Sequence, residues 1–147
     1  MNYTICIIDN DMLYKLQLKK NIKNLPISVD VMSFSNGKDA YETFSVENID
    51  ASELPDVILL DINMPIMDGW EFMDAIVKIL PTLPKFISIY IATSSNANHD
   101  FEKSKRYEEI MGYLAKPIDS ETLYRILKFA KKQQHKELIT ISAHQRN

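Results

Sequence analysis

The chain has 147 residues, with 17 Lys and Arg residues against 20 Asp and Glu residues, a formal net charge of −3, and 46% hydrophobic residues. This length fits one domain that buries roughly two thirds of its unfolded surface without crosslinks. Because Cys6 is the single cysteine, an internal disulfide and a cysteine-based zinc site are excluded, and a reducing compartment is favoured. The apolar runs fall far short of the roughly 18 residues that span a bilayer, and residues 1–8 lack the basic start of a signal peptide. We therefore expect a cytoplasmic protein with no membrane partner.

Charge is unevenly distributed, since residues 116–147 are basic overall and the first 115 residues are acidic. The basic end is either the solvated face of a helix, whose C-terminal dipole suits lysines, or a docking face for an acidic partner. A nucleic-acid partner is not expected, because the whole chain is acidic and carries no helix-turn-helix or zinc-finger pattern.

Five short apolar runs alternate with longer amphipathic stretches, a pattern typical of βα units around a parallel sheet. The predicted strands cover residues 4–8, 28–34, 57–60, 86–92 and 112–115. The first predicted helix has a stripe of apolar residues that includes Tyr14 and ends at Pro26. The next three cover about 37–48, 69–80 and 98–111, and the fifth begins at an N-cap near Asp119 or Ser120.

Right-handed crossovers between parallel strands make the predicted fold a doubly wound α/β sheet with five helices. We assign residues 1–135 to one domain and residues 136–147 to a C-terminal tail. This tail is either flexible or adds a short strand or docking segment. In doubly wound sheets the working site lies beyond the carboxyl ends of the strands.

Polar residues follow the carboxyl ends of four predicted strands: Asp9 the first, Asp61 the third, Thr93 the fourth and Lys116 the fifth. Two carboxylates at one edge repel each other unless a cation lies between them. Mg²⁺ is commonly held by one or two carboxylates and a phosphate oxygen, and the backbone carbonyl of Asn63 could add another ligand. An aspartate beside such an ion can attack a phosphoryl group and become an aspartyl phosphate. Taken singly, each of these residues could also be an ordinary cap or loop residue.

Four segments together, residues 7–11, 56–69, 92–93 and 112–117, resemble the receiver domain of two-component response regulators. The resemblance extends over roughly residues 3–134, and its long central segment, DVILLDINMPIMDG at 56–69, is highly specific. It implies a flavodoxin-like strand order of 2-1-3-4-5 and a single-domain receiver similar to the bacterial chemotaxis regulator.

By position, the resemblance makes Asp61 the phosphoacceptor, Thr93 the switch hydroxyl, Lys116 the conserved-type lysine of the family and Tyr113 the aromatic switch residue. It implies that a histidine kinase or a phosphotransfer protein supplies the phosphoryl group. The phosphorylated form would then contact a downstream protein through the face of the fourth helix, fifth strand and fifth helix, where Lys128, Lys131 and Lys132 stand. No enzymatic activity is expected beyond self-phosphorylation and self-dephosphorylation.

The chain departs from the family pattern at Asn10. The family has a pair of acids here, and Asp9 matches the first while Asn10 replaces the second, which is usually a direct metal ligand. An amide oxygen can still coordinate but carries no charge, so Mg²⁺ should bind more weakly. Asp11 could compensate in part, although its expected role is the N-cap of the first helix.

Two other functions stay open at this point. A degenerate receiver that binds its partner without phosphorylation is supported by Asn10 alone. A small phosphatase of the haloacid dehalogenase type would use Asp9, because Asp9-Asn10-Asp11 spells that family's Asp-x-Asp, but Leu13 stands where that family has Thr or Val. The aspartate that takes the phosphate, Asp61 or Asp9, distinguishes the phosphatase from a receiver.

Overall fold

One sheet of five parallel strands forms the centre of the molecule. The computed structural model describes residues 2–94 and 98–145, with side chains up to residue 140. The strands are β1 (Asn2–Ile8), β2 (Ser28–Phe34), β3 (Val57–Leu60), β4 (Ser88–Thr93) and β5 (Ile110–Ala115). They lie in the order β2-β1-β3-β4-β5, so the winding direction changes between β1 and β3.

Three of the helices that connect the strands begin at side-chain caps. Within the described residues the helices are α1 (Met12–Lys23), α2 (Gly37–Phe44), α3 (Gly69–Ile76), α4 (Asn98–Ser104) and α5 (Ser120–Gln145). The side chains of Asp11, Asn36 and Asp68 accept hydrogen bonds from the first turns of α1, α2 and α3. The predicted doubly wound sheet with this strand order and five helices is confirmed, as is the role of Asp11 as an N-cap.

Each face of the sheet carries its own hydrophobic core. On one face α1 and α5 bury Leu18 and Leu127, and on the other α2 and α3 bury Phe44 and Phe72. Burying side chains of this size stabilises a fold by about 1.5–3 kcal/mol each. Strands β3 and β4 are buried along their whole length, whereas the edge strand β2 is partly exposed throughout. Strands β3 and β4 are therefore held firmly. Asp61 directly follows β3 and Thr93 ends β4, so both residues are attached to firmly held strands.

Several element boundaries differ from the prediction: α2 ends at Phe44 rather than near residue 48, and β4 covers Ser88–Thr93 rather than residues 86–92. Helix α4 ends at Ser104 rather than Met111, and Ile110 and Met111 belong to β5. Ile110 pairs with Ile89 of β4, Met111 lies at an irregularity in the register just after it, and such pairing overrides local helical periodicity. Helix α3 ends at Ile76, and residues 80–82 form a short 3₁₀ turn that contains Pro81.

The C-terminal segment continues the last helix. Helix α5 is unbroken from Ser120 to Gln145 and passes the domain boundary assigned at residue 135. Residues 136–145 contain neither glycine nor proline, so nothing in their sequence stops the helix. The assigned tail is helical up to Gln145, and its flexibility stays a prediction. Neither α5 nor any other helix in the described residues combines the length and apolarity needed to cross a bilayer.

A buried aspartate ties α5 to the amino end of the sheet. Asp56 directly precedes β3 and is 1% exposed. Its Oδ2 accepts a hydrogen bond from the Thr4 N–H at 2.7 Å. Its Oδ1 lies 3.0 Å from Nζ of Lys85 and 3.1 Å from Nζ of Lys131, and accepts a bond from Gln134 at 2.8 Å. Burial raises the pKa of this carboxyl, but its hydrogen bonds and the charge of Lys85 outweigh burial and hold the pKa below its usual value.

Replacing Asp56 with asparagine should lower the free energy of unfolding by about 3 kcal/mol at neutral pH, because two lysines lose their buried partner. The pKa of Asp56 is lower in the folded than in the unfolded chain. Its stabilising effect is therefore present above the usual aspartate pKa of about 3.9 and is lost as the pH falls through the folded-state value. Urea unfolding at neutral and acid pH measures both effects. Glu47→Gln, which removes an exposed acid, is the control, and a difference that persists undiminished in acid contradicts the prediction.

Candidate functional site

Three charged side chains meet at the carboxyl edge of the sheet. Asp9 follows β1, Asp61 follows β3 and Lys116 follows β5. The Nζ of Lys116 lies 2.5 Å from Oδ2 of Asp9 and 3.6 Å from Oδ1 of Asp61. Asp9 and Asp61 are both buried. The structure thus brings together the three side chains on which the predicted chemistry depends.

Backbone hydrogen bonds fix these residues because they extend the sheet ladder by one position. The Asp61 N–H donates to the carbonyl of Ile8 at 2.9 Å, and the Lys116 N–H donates to the carbonyl of Thr93 at 3.0 Å. Each functional residue is therefore held by the strand beside it. A site built in this way is positioned by strand register rather than by a mobile loop.

Helix α3 packs directly on the backbone at Asp61. The Gly69 N–H donates to the carbonyl of Ile62 at 2.8 Å. A Cβ on Gly69 would lie 2.5 Å from the carbonyl oxygen of Asp61, closer than side-chain carbons come to backbone, so only glycine fits. Asp68 and Glu71 form a capping box that fixes the start of the helix. The structure therefore explains both residues of the Asp68-Gly69 pair: Asp68 caps α3, and Gly69 lets α3 approach the backbone at Asp61.

Both carboxylate oxygens of Asp9 are engaged. Oδ1 accepts a hydrogen bond from the Asp11 N–H at 2.9 Å, and Oδ2 accepts one from Lys116. A cation at this site would have to compete with Lys116 for Asp9. Together with the loss of charge at Asn10, this competition predicts weak cation binding.

The surroundings of Asp61 disfavour the charged form of its carboxylate. Burial raises the pKa of its carboxyl, the negative charge of Asp9 raises it further, and the charge of Lys116 lowers it in part. The net effect is a pKa above the usual aspartate value. Additional positive charge near Asp61 would therefore stabilise the charged form of its carboxylate.

The donor set fits an ion held by two carboxylates and neutral oxygens. Asp9 and Asp61 supply the charged oxygens, and Asn10 and Asn63 are exposed beside them in sequence. No group of three or more His, Cys, Asp and Glu side chains in the described residues is arranged to hold a metal. Mg²⁺ accepts such a set because it keeps several waters and commonly binds one or two carboxylates.

Thr93 and Tyr113 connect the carboxyl edge to α4. Thr93 ends β4 and is buried. The side chains of Thr93 and Tyr113 are hydrogen-bonded, and the Tyr113 ring meets the ring of Phe101 edge-on with centroids 5.5 Å apart. Burial and the charge of Asp100 raise the pKa of Tyr113, although the hydrogen bond with Thr93 lowers it in part. A continuous set of contacts therefore leads from the site to α4.

The sequence pattern does not predict the surroundings of Tyr14 and Lys15. Tyr14 belongs to the apolar stripe of α1, yet the Nζ of Lys116 lies 4.2 Å from its ring centroid. Lys15 is buried and donates a hydrogen bond to Oγ of Ser35 at 3.3 Å. The available signal for Tyr14 is its place in the first turn of α1, because helical side chains lean toward the N-terminus and so toward the acids before the helix.

The sequence matches the family model of the response regulator receiver domain over residues 5–128. The fold defines the class as a doubly wound α/β domain, and this match defines the family. The chain belongs to the response regulator receiver domain family. Receiver domains are signalling phosphoacceptors that interact with histidine kinases or phosphotransfer proteins and with downstream targets, and they generally bind Mg²⁺ at their acidic pocket.

Curated relatives include full-length regulators. The chain is 33% identical over 127 residues to the nitrate/nitrite response regulator protein NarL of Escherichia coli (strain K12), covering 84% of this chain and 52% of NarL. It is 27% identical over 129 residues to the probable transcriptional regulator ycf29 of Porphyra purpurea, covering 87% of this chain and 56% of that protein. The chain thus spans about half the length of these relatives.

Solved structures share the fold. A two-component response regulator from Cytophaga hutchinsonii has a TM-score of 0.78 at 21% identity, covering 90% of this chain and 98% of that chain. The phosphorylated cyanobacterial phytochrome response regulator RcpA has a TM-score of 0.66 at 25% identity, covering 91% of this chain and 94% of that chain.

Replacing Asn10 with aspartate should strengthen Mg²⁺ binding roughly tenfold, about 1.4 kcal/mol, because it adds a charged oxygen donor beside Asp9. Titration followed by the fluorescence of Trp70, the single tryptophan and the residue after Gly69, measures the affinity. Asn24→Asp places the same charge at the far end of α1 and is the matched control. Equal affinities for wild type and Asn10→Asp would show that position 10 does not reach the ion.

Proposed function

We propose that Asp61 accepts a phosphoryl group from a histidine kinase or phosphotransfer protein and that phosphorylation changes the contacts of this chain with a downstream protein. The observation that carries this proposal is the Lys116 ammonium held between the buried carboxylates of Asp9 and Asp61. A cation beside a strained carboxylate is suited to a reaction in which negative charge is brought to that carboxylate.

The proposed chemistry is a direct transfer. A carboxylate oxygen of Asp61 attacks the phosphorus in line, an acyl phosphate forms and the donor's leaving group departs. Lys116 lies near enough to Asp61 to stabilise the arriving oxygens. Mg²⁺, when bound by Asp9 and Asp61 with the Asn63 carbonyl and the Asn10 amide, supplies further neutralisation of phosphoryl charge.

The occupancy of the two aspartates favours Asp61 over Asp9 as the nucleophile. Asp9 accepts hydrogen bonds at both oxygens, at 2.9 Å and 2.5 Å, whereas Lys116 lies farther from Asp61, at 3.6 Å, and Asp61 also has a hydrogen bond with the Ile62 backbone. Burial and the charge of Asp9 raise the pKa of Asp61, which makes this carboxylate more basic than an ordinary aspartate. These contacts argue against a phosphatase of the haloacid dehalogenase type that would use Asp9.

We propose that the signal passes through Thr93 and Tyr113 to α4. A phosphoryl oxygen on Asp61 competes with Tyr113 for the Thr93 hydroxyl, so the hydrogen bond between them can be exchanged. Tyr113 then repacks against Phe101 of α4. The phosphoryl group need only shift the population of two arrangements by its differential affinity for them.

The output face in this proposal is formed by α4, β5 and α5, and its lysines differ in exposure. Lys128 and Lys132 are exposed on α5, whereas Lys131 is half-buried and paired with Asp56 at 3.1 Å. The pairing with Asp56 occupies the Lys131 ammonium, so Lys131 is less available to a partner than the other two lysines. Lys128 and Lys132 remain to attract an acidic partner.

Exposed apolar side chains beside the site favour a docking surface for the phosphodonor. Met12, Leu13 and Leu16 of α1 are 60–79% exposed, and Ile66 in the loop after β3 is 73% exposed. Ile66 also has a φ of 71°, an unfavourable conformation for a β-branched residue. Met12, Leu13 and Leu16 lie within the first two turns of one helix, and exposed apolar groups that lie close together in this way mark interaction surfaces. We assign this surface to the histidine kinase or phosphotransfer protein. The stand-alone role and the cytoplasmic location stay predictions.

Incubation with acetyl phosphate and Mg²⁺ should add one phosphoryl group to the wild-type chain, as measured by intact mass. Asp61→Asn should lose this mass gain completely. Asp9→Asn should keep it at a lower rate, because Asp9 helps to hold the cation and Lys116 but is not the nucleophile. Asp39→Asn, which removes an exposed acid of α2, should react like the wild type.

The opposite pattern, with loss in Asp9→Asn and retention in Asp61→Asn, would refute the assignment of the nucleophile. If the wild type gains no mass and its amide NMR spectrum does not respond to the phosphoryl mimic beryllofluoride, the phosphorylation-independent binding module is correct instead.

A further inference from the structure

An aromatic ring covers the ammonium group of the site. The Nζ of Lys116 lies 4.2 Å from the ring centroid of Tyr14, well within the range of a cation–π interaction. The Lys116 side chain is only 12% exposed, so water screens this contact weakly. The N-cap residue Asp11 accepts a hydrogen bond from the Tyr14 N–H at 3.1 Å and thereby fixes the backbone that carries the ring.

The three contacts of Lys116 differ in what happens to them during phosphorylation. A cation competes with Lys116 for Asp9, and phosphorylation turns the carboxylate of Asp61 into an acyl phosphate. The Tyr14 ring is neutral and takes part in neither change. It is therefore the contact that can hold the ammonium in place while both carboxylates change partners.

We propose that the ring of Tyr14 positions Lys116 for phosphoryl capture at Asp61. This inference rests on the proposed phosphoacceptor function and adds a positioning residue to it. Tyr14 acts through Lys116, because the electron-rich face of its ring attracts the Lys116 ammonium. No other change in the site is needed.

The hydroxyl of Tyr14 offers a competing explanation that can be separated by experiment. It is buried and has no hydrogen-bond partner among the described residues. Burial raises its pKa, and the charges of Asp9 and Asp61 raise it further, so the hydroxyl stays protonated and the ring neutral. Tyr14→Phe removes the hydroxyl and keeps the ring, whereas Tyr14→Leu removes both.

Beryllofluoride titration in the presence of Mg²⁺ measures capture of a phosphoryl mimic by the full chain. Tyr14→Leu should weaken this binding by about three- to thirty-fold, the range of a partly desolvated cation–π contact. Tyr14→Phe should bind like the wild type. Tyr41→Leu removes a half-buried tyrosine from α2 and is the control for loss of an aromatic side chain, and thermal unfolding verifies that each variant is folded.

Side-chain NMR of Lys116 provides a readout that does not depend on phosphorylation. Protons above a ring face are shifted upfield, so the Lys116 ε-protons should be shifted in the wild type and Tyr14→Phe and should lose the shift in Tyr14→Leu. Unchanged beryllofluoride affinity in Tyr14→Leu, or equal loss in Tyr14→Phe, overturns the proposal. If the wild type binds no beryllofluoride, both the phosphoacceptor function and the positioning role are refuted. If the wild type binds beryllofluoride but shows no ring shift, the Tyr14–Lys116 contact is refuted and the phosphoacceptor function stands.

Discussion

The ammonium of Lys116 between Asp9 and Asp61 is the interaction on which the carboxyl edge of the sheet depends. Two buried carboxylates without a positive charge would repel each other and lose hydration, a cost of several kcal/mol for each ion. The lysine offsets that cost in the resting chain. The same ammonium is also a ready counter-charge for an arriving phosphoryl group, so stability and reactivity draw on one contact. Its bond to Asp9 sets a threshold that any bound cation has to overcome.

Each charged residue of the site is joined to a different helix, which makes the site part of the packing of the whole domain. Asp9 lies three residues before α1, the backbone at Asp61 is covered by Gly69 of α3, and Lys116 precedes α5. Thr93 adds a link to α4 through Tyr113. The site residues therefore adjoin helices on both faces of the sheet, and a chemical change at this edge can affect either face.

Most of the fold and the membership of the site follow from local sequence, and the exceptions share one physical cause. The fully apolar run of β3 and the N-cap at Asp11 are recognisable in sequence because local composition determines them, and the site residues follow from the rule that parallel strand ends share an edge. The start of β5 at Ile110 depends on pairing with β4. The capture of Lys131 by Asp56 and the stacking of Lys116 on Tyr14 depend on how distant elements pack together. Neither is encoded in any short window of sequence.

Helix α5 is anchored at both ends of the sheet, since it begins just after Lys116 and its middle is bonded to the Asp56 carboxylate through Lys131 and Gln134. A helix that is held at two separate points of the sheet is expected to move little relative to it. The short helix α4, in which Ser104 is the buried residue, has far less to hold it. Because less of α4 than of α5 is buried, we expect α4 to be the helix that moves most readily when the charge at Asp61 changes.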